Sequence, residues 1–232
     1  MGINKFLIYQ VIAGFLLFIN TSCKKDEIIS SMVTDIDGNK YNTVIIGSQI
    51  WMKENLKTTR YNDGTPITYI TDSIEWITAG EAYCWYANDS ATYKAAYGAL
   101  YNWYAVAPAG NGNRNICPTG WHIPTDSEWE TLTIYLGGSN IAGGKLKEEG
   151  TANWISPNAG ADNSSGFTAL PGGNRYFVDG AFVGIGTTCY LWSSVDYDIK
   201  SAANWGLYYG DSIAYRLYSR KSCGYSVRCL KN

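Results

Sequence analysis

The stretch CPTGWHIPTDSEWETLTIYLGG, residues 117–138, predicts the helix around which the rest of the chain is organised. Thr125 is a suitable N-cap, and Glu128 three residues later completes a capping box, in which each side chain satisfies a backbone N–H of the other. The helix is predicted to end at Gly137. Apolar residues recur at helical spacing and predict one buried face, formed by Trp129, Leu132 and Leu136. The stretch therefore predicts a fold anchor and indicates no activity.

The first residues predict export and lipidation. Residues 1–22 are typical of a signal peptide, and their apolar run at 6–19 is shorter than the roughly 20 residues that span a bilayer. Cys23 follows two small residues and resembles the lipidation site of bacterial lipoproteins; an ordinary secreted protein is the alternative. Residues 23–32 are the expected lipidated tether. Within it, residues 24–27 resemble the charged tag that sends Bacteroidota-type lipoproteins to the outer face of the outer membrane, or else form a solvated linker.

Composition limits the remaining possibilities. Loss of residues 1–22 removes Lys5 and no acid, so the 18 basic and 20 acidic side chains become 17 and 20. This small, scattered net charge argues against a nucleic-acid partner, which requires a clustered basic face. Residues 33–232 suffice for one domain with a sizeable core. Because aromatic residues make up 15% of the chain and glycine occurs 25 times, we expect a loop-rich α+β fold or a β-rich fold.

Turn chemistry predicts antiparallel strands at both ends of the domain. Residues 33–46 alternate around Asp37-Gly38-Asn39, which indicates a hairpin, and a further strand is predicted from Ile50. A second helix is predicted over residues 91–106, capped by Asp89 or Ser90. The C-terminal strands are predicted at residues 190–195, 203–209, 214–218 and 225–230.

Several motifs together resemble the Fibrobacter succinogenes major paralogous domain over residues 33–232. They are residues 35–67, YGALYNWYAV (97–106), the stretch 117–138, residues 143–175, LWSS (191–194) and GYSVRCLKN (224–232). Members of that family are typically secreted or lipid-anchored surface proteins, and no general activity is attached to them. The family also resembles, remotely, the C-type lectin and formylglycine-generating-enzyme fold. The resemblance implies two main helices with short antiparallel strands and long loops.

The loop SPNAGADNSS offers oxygen ligands at Asn158, Asp162 and Asn163 and faintly resembles the Pro-Asn element with which lectins bind calcium and sugar. Calcium usually takes more than one carboxylate, and Asp162 is the only one here. The alternative is a turn rich in Asn and Asp. His122 is the only histidine, so it is expected to be structural, and neither a catalytic set nor a further metal site is predicted.

Five cysteines remain after lipidation, an odd number that leaves at least one unpaired. Cys84, Cys117 and Cys229 match the pattern of the family that the chain resembles, whereas Cys189 and Cys223 depart from it. These two extra cysteines are therefore predicted to form a disulfide, although sequence does not determine the pairing.

Cys223 and Cys229 support an alternative, because formylglycine-generating enzymes hold copper(I) between two C-terminal cysteines. Five residues separate the two here where those enzymes have four. On a regular strand Cys223 and Cys229 would lie about 20 Å apart. The expected function is thus a non-enzymatic surface lipoprotein without a required cofactor, calcium excepted, that binds glycan or protein. A copper-dependent thiol oxidase is the first alternative, and a structural envelope component is the second.

Overall fold

The computed structural model describes residues 32–232, apart from the side chains of residues 108 and 109. The predicted signal peptide, the lipidation site Cys23 and nearly all of the tether lie outside the described residues. Between residues 32 and 232, no helix is long and apolar enough to cross a membrane.

The described chain alternates short strands and helices. The strands are β1 (Met32–Thr34), β2 (Lys40–Ile46), β3 (Gln49–Met52), β4 (Thr68–Tyr69), β5 (Ala82–Cys84), β6 (Leu100–Tyr101), β7 (Trp121–His122), β8 (Gly172–Arg175), β9 (Phe182–Ile185), β10 (Thr188–Asp196), β11 (Ser201–Tyr208), β12 (Tyr215–Arg220) and β13 (Leu230–Lys231). The helices are α1 (Ser73–Thr78), α2 (Ser90–Tyr97), α3 (Trp103–Val106), α4 (Pro108–Asn111), α5 (Asp126–Tyr135) and α6 (Ser139–Leu146). The coarse prediction of a mixed fold of helices and strands is confirmed, while the finer lectin-like architecture stays a prediction.

The first sheet has the strand order β1-β2-β3-β13-β7 and joins the two ends of the described chain. Its β1–β2 hairpin is the predicted one, and Gly38 adopts the positive φ of 82° that the turn requires. The last strand, β13, lies between β3 and β7 and is antiparallel to both. The sheet is therefore completed by the last residues of the chain.

The second sheet has the order β12-β11-β10-β8-β9, and β12 forms one of its edges. Strands β10, β11 and β12 confirm three of the predicted C-terminal strands. The fourth was predicted at residues 225–230, but only its last residue belongs to a strand, β13. Tyr225 and Ser226 make only isolated bridges, to Tyr101 and Leu191. A small third sheet has the order β4-β5-β6.

Helix α5 confirms the predicted capping box. Thr125 Oγ1 accepts from the Glu128 N–H at 3.3 Å, and the Glu128 carboxylate accepts from the Thr125 N–H at 2.8 Å. Trp129 on its buried face packs against three aromatic rings, which belong to Trp51, Phe167 and Trp205. These contacts hold α5 over both large sheets.

One helix prediction is too long and one helix was missed, and close backbone packing occurs at both places. The helix predicted over residues 91–106 ends at Tyr97, because Gly98 takes φ +72° and a Cβ there would lie 2.6 Å from the Leu56 carbonyl oxygen. Helix α6 was not predicted, since its Gly143 and Gly144 read as loop signals. In the structure the backbones of residues 213 and 160 pass so close to these two glycines that a Cβ would overlap them.

Between residues 32 and 232, three cationic side chains are fully buried, and each lies in a cage of oxygen acceptors beside an aromatic ring. They are Lys147, Arg175 and Arg228. The Lys147 ammonium donates to the backbone carbonyls of residues 159, 208 and 211 at 2.7–3.0 Å, and lies 5.4 Å from the Trp154 ring. Arg228 donates to the Phe167 carbonyl at 2.6 Å and to Asn55 Oδ1 at 2.8 Å. Because a buried charge requires such partners, the cages fix the loops that supply the oxygens.

The stability of the protein is expected to rise with pH between about 8 and 10.5 through Lys147. Burial lowers the pKa of this ammonium to about 8, while Asp211 opposes the shift. The unfolded chain keeps the proton up to the ordinary lysine pKa of about 10.4, so unfolding takes up a proton within this window and becomes less favourable as pH rises. Urea denaturation at pH 7.5 and 9.5 measures the effect, and Lys147→Met removes this contribution. An equal pH dependence in both proteins would contradict it.

Candidate functional site

The predicted disulfide between Cys189 and Cys223 is not formed, and the structure instead joins Cys117 to Cys229. Cys189 lies in the core cluster beneath α5, whereas Cys223 lies in the cluster beneath the first sheet. Both are buried free thiols, as is Cys84. The disulfide thus forms between Cys117 and Cys229, two of the three cysteines that match the pattern of the family that the chain resembles.

The residues of the predicted calcium loop are used in turns. The Asn158 amide donates to the carbonyls of Glu148 and Gly150, and Asp162 accepts from the Ser164 N–H. The Asn163 amide donates to Thr168 Oγ1 and accepts from the Thr168 N–H. Among residues 32–232, no group of three or more His, Cys, Asp or Glu side chains is placed to hold a metal ion. These contacts match the alternative of a turn rich in Asn and Asp, and calcium binding stays an untested prediction.

His122 bridges α5 and the C-terminus. Its Nε2 lies 3.0 Å from Glu128 Oε1, and its Nδ1 lies 2.7 Å from Asn232 Oδ1. Burial favours the neutral form of Glu128, but hydrogen bonds from Thr125 and His122 outweigh it and lower the pKa of this carboxyl. A cleft of about 280 Å³ lies beside His122. Because both ring nitrogens already have partners, the expected structural role is consistent with the geometry.

The exposed side of β12 carries a row of side chains that the core does not use. Arg216, Tyr218 and Arg220 alternate along the edge strand and point outward, and Tyr197 from the β10–β11 turn joins them. We call these four residues the β12 stripe. The rings of Tyr197 and Tyr218 stack with centroids 3.9 Å apart, although Tyr197 is 60% exposed and Tyr218 is 44% exposed. An aromatic pair of this size on the surface is available for a ligand.

A cleft of about 350 Å³ adjoins the Arg216 end of the stripe, between α5 and β12. Trp205 and Ile134 give it an apolar lining, and Glu130 and Tyr215 add polar groups at its rim. Trp205 and Arg216 lie in the cleft together because they are direct cross-strand partners in the β11–β12 ladder. The size and the mixed lining are those of a site for a small polar unit with apolar faces.

Asp126 holds the two walls of this cleft together. Its carboxylate accepts from Trp205 Nε1 at 3.1 Å and pairs with the Arg216 guanidinium. The hydrogen bond to Asp126 raises the pKa of Arg216 further, so this side chain is charged throughout the physiological range. Arg216 also lies over the Tyr218 ring at 5.5 Å. The cleft and the aromatic pair therefore form one continuous surface of fixed geometry.

Sequence reasoning placed part of β12 in a strand but did not identify the stripe. The alternation of YRLYSR, residues 215–220, was the available signal, because two arginines flank a tyrosine on one face of a strand. Tyr197 gave no signal, since its contact with Tyr218 depends on an irregular register between Trp192 and Asp196. The structure thus brings together residues that none of the predicted sites contained.

Comparison with known proteins identifies the family of the chain. The sequence model of the Fibrobacter succinogenes major domain matches residues 44–231, which is most of the chain and nearly all of its described part. No curated protein and no solved structure matches it. The match agrees with the resemblance carried by the motifs between residues 33 and 232. The chain belongs to the Fibrobacter succinogenes major domain family.

Proposed function

We propose that this protein is a non-enzymatic, lipid-anchored surface protein of the outer membrane that binds glycans through the β12 stripe and the adjoining cleft. The exposed Tyr197–Tyr218 pair is the observation that carries the proposal. Sugar rings present apolar C–H faces that pack on aromatic rings, and their hydroxyl groups require polar partners such as those at the rim of the cleft. A lipid on Cys23 and the short tether would hold this surface outside the cell.

The rigidity of the surface supports binding rather than a purely structural role. The two tyrosines already stack on each other, and Arg216 is held by Asp126, so little side-chain entropy is lost when a ligand arrives. An envelope component without a ligand has no need of an ordered aromatic surface that faces solvent. The expected ligand site therefore lies on the stripe and not in the Asn158 loop.

The thiol oxidase alternative finds no support in the geometry of the cysteines. Cys229 is bonded to Cys117, so it does not offer a thiolate for copper(I) beside Cys223. Burial raises the pKa of the Cys223 thiol to about 11, which keeps it protonated at neutral pH. We therefore place binding ahead of oxidation.

A glycan array probed with the mature protein, carrying Cys23→Ser to leave it soluble, tests the proposal. Tyr218→Ala is expected to weaken binding to the glycans retained by the wild type by about tenfold, since aromatic contacts contribute on the order of 1 kcal/mol beyond their buried area. Binding is expected to survive a chelator, because the calcium-loop residues are used in turns.

Tyr135→Ala is the matched control, since Tyr135 is 64% exposed and lies at the C-terminal end of α5, outside the stripe. The proposal fails if no glycan on a broad array is bound. It also fails if Tyr135→Ala weakens binding as much as Tyr218→Ala does. Loss of binding in the chelator alone would return the site to the loop of Asn158, Asp162 and Asn163.

A further inference from the structure

We infer that the ligand of the β12 stripe is a stretch of acidic polysaccharide that lies along the strand, with its carboxylates at the Arg220 end. This inference rests on the proposed glycan binding and names the class of glycan. It combines the length of the stripe with the distribution of charge along it.

The stripe is longer than a single sugar. Side chains two residues apart on a strand are separated by about 7 Å, so Arg216 and Arg220 lie about 14 Å apart with Tyr218 midway. The cleft at Trp205 extends this path beyond Arg216, and Phe177 lies under Arg220 at 5.8 Å from its guanidinium. This length along an exposed edge strand corresponds to several units of a sugar chain.

The two ends of the path differ in charge. At the cleft end, Arg216 is paired with Asp126 and Glu130 lines the rim, so this end offers no excess positive charge. At the other end, no carboxylate among residues 32–232 lies within 4 Å of the Arg220 guanidinium. The backbone of the exposed Lys200 lies beside this end, because its carbonyl accepts from the Lys221 N–H next to Arg220.

The nearby acids at this end make their direct contacts with other groups, although backbone N–H groups, helped by the Arg220 charge, lower the pKa of Asp198. Asp198 accepts two backbone N–H groups at 2.7 Å, from Lys200 and Ser201, and Asp196 pairs with the Lys221 ammonium at 2.6 Å. Arg220 is therefore the cation that is placed to bind a new carboxylate. Its planar guanidinium can donate two parallel hydrogen bonds to the two carboxylate oxygens. Uronic acid units supply a carboxylate on a ring that also has an apolar face, which matches Arg220 beside Tyr218.

Binding of hexagalacturonate and of its fully methyl-esterified form, two chains with the same sugar units and linkages that differ in charge, tests the inference in isothermal titration calorimetry. The soluble mature protein is expected to bind the hexagalacturonate more tightly, with an affinity that falls as salt rises. Arg220→Gln is expected to weaken this binding by about fivefold, the upper range of an exposed ion pair, and to leave binding of the uncharged methyl ester unchanged. Lys231→Gln, an exposed cation on the first sheet, is the control and is expected to change neither.

The outcomes separate the inference from the function on which it rests. Equal affinity for both chains, lost in Tyr218→Ala, would overturn the acidic ligand and leave glycan binding intact. Tight binding of the single unit galacturonate would overturn the extended path. If neither chain nor any arrayed glycan is bound, the proposed function fails as well.

Discussion

Replacing both Cys117 and Cys229 by alanine is expected to lower the free energy of unfolding by about 2–5 kcal/mol. The two residues are 112 positions apart, and a cross-link that closes so long a loop removes much conformational entropy from the unfolded chain. The bridge also joins Cys229, the residue before β13, to the segment that leads into β7. Strands β13 and β7 pair with each other in the first sheet. Urea denaturation followed by tryptophan fluorescence measures the loss.

The matched control is the double variant with Cys189→Ala and Cys223→Ala. These buried thiols are free, so their replacement removes packing but no cross-link, and we expect a smaller loss of stability. A larger loss in this control than in the Cys117 and Cys229 variant would contradict the stabilising role assigned to the Cys117–Cys229 bridge.

Arg175→Met is expected to lower the free energy of unfolding by about 3–5 kcal/mol, since a buried acceptor left without a donor costs on the order of 1–3 kcal/mol. The Arg175 side chain donates to four backbone carbonyls, those of residues 70, 71, 72 and 180, at 2.7–3.0 Å. It also lies 4.6 Å from the Trp76 ring and 4.9 Å from the Phe182 ring. Its loss leaves the carbonyls of residues 70 and 180 without a donor, whereas those of residues 71 and 72 keep the Asn88 amide and the Trp76 N–H. Urea denaturation again gives the magnitude.

Two further variants separate the cage from a general effect of charge. Arg175→Lys keeps the charge but not the planar fork, so we expect it to recover only part of the lost stability. Arg220→Met removes an exposed arginine from the same sheet and is expected to change stability by less than about 0.5 kcal/mol. Full recovery by lysine would contradict the role assigned to the four carbonyls.

The elements that were predictable are those that short-range chemistry determines. Helix α5 begins at Asp126 because the side chains of Thr125 and Glu128 each accept from the backbone N–H of the other residue. Both residues can be recognised in the sequence as a capping box. The β1–β2 hairpin likewise follows from a turn whose glycine takes a positive φ. In both cases the deciding contacts lie within a few residues of one another.

The parts that were not predictable depend on segments distant in sequence. Gly98 ends α2 because the backbone of Leu56 leaves no room for a side chain, and no local pattern records that contact. Nothing in KLKEE distinguishes the buried Lys147 from the half-exposed Lys145 two residues earlier. The oxygens that decide the difference come from loops up to 64 positions away.

The same distinction applies to the candidate site. Asn158 reads as a ligand because its side chain is polar and lies in a loop, but its amide is turned toward the carbonyls of residues 148 and 150. Tyr218 reads as one more strand residue, and only its contact with Tyr197 makes it part of a surface. Composition indicated abundant aromatic residues without indicating which of them face solvent.

The central place of β13 has a consequence for biosynthesis. The first sheet has its fourth strand at Leu230–Lys231, between strands whose residues are made long before, and so it stays open until these two residues have emerged from the ribosome. We therefore expect that the domain does not complete its fold while the nascent chain is still emerging from the ribosome. If the chain is exported as its N-terminus predicts, this delay would keep the polypeptide unfolded enough to pass through a translocation channel. The sheet would then close on the far side, where oxidising conditions allow Cys229 to pair with Cys117.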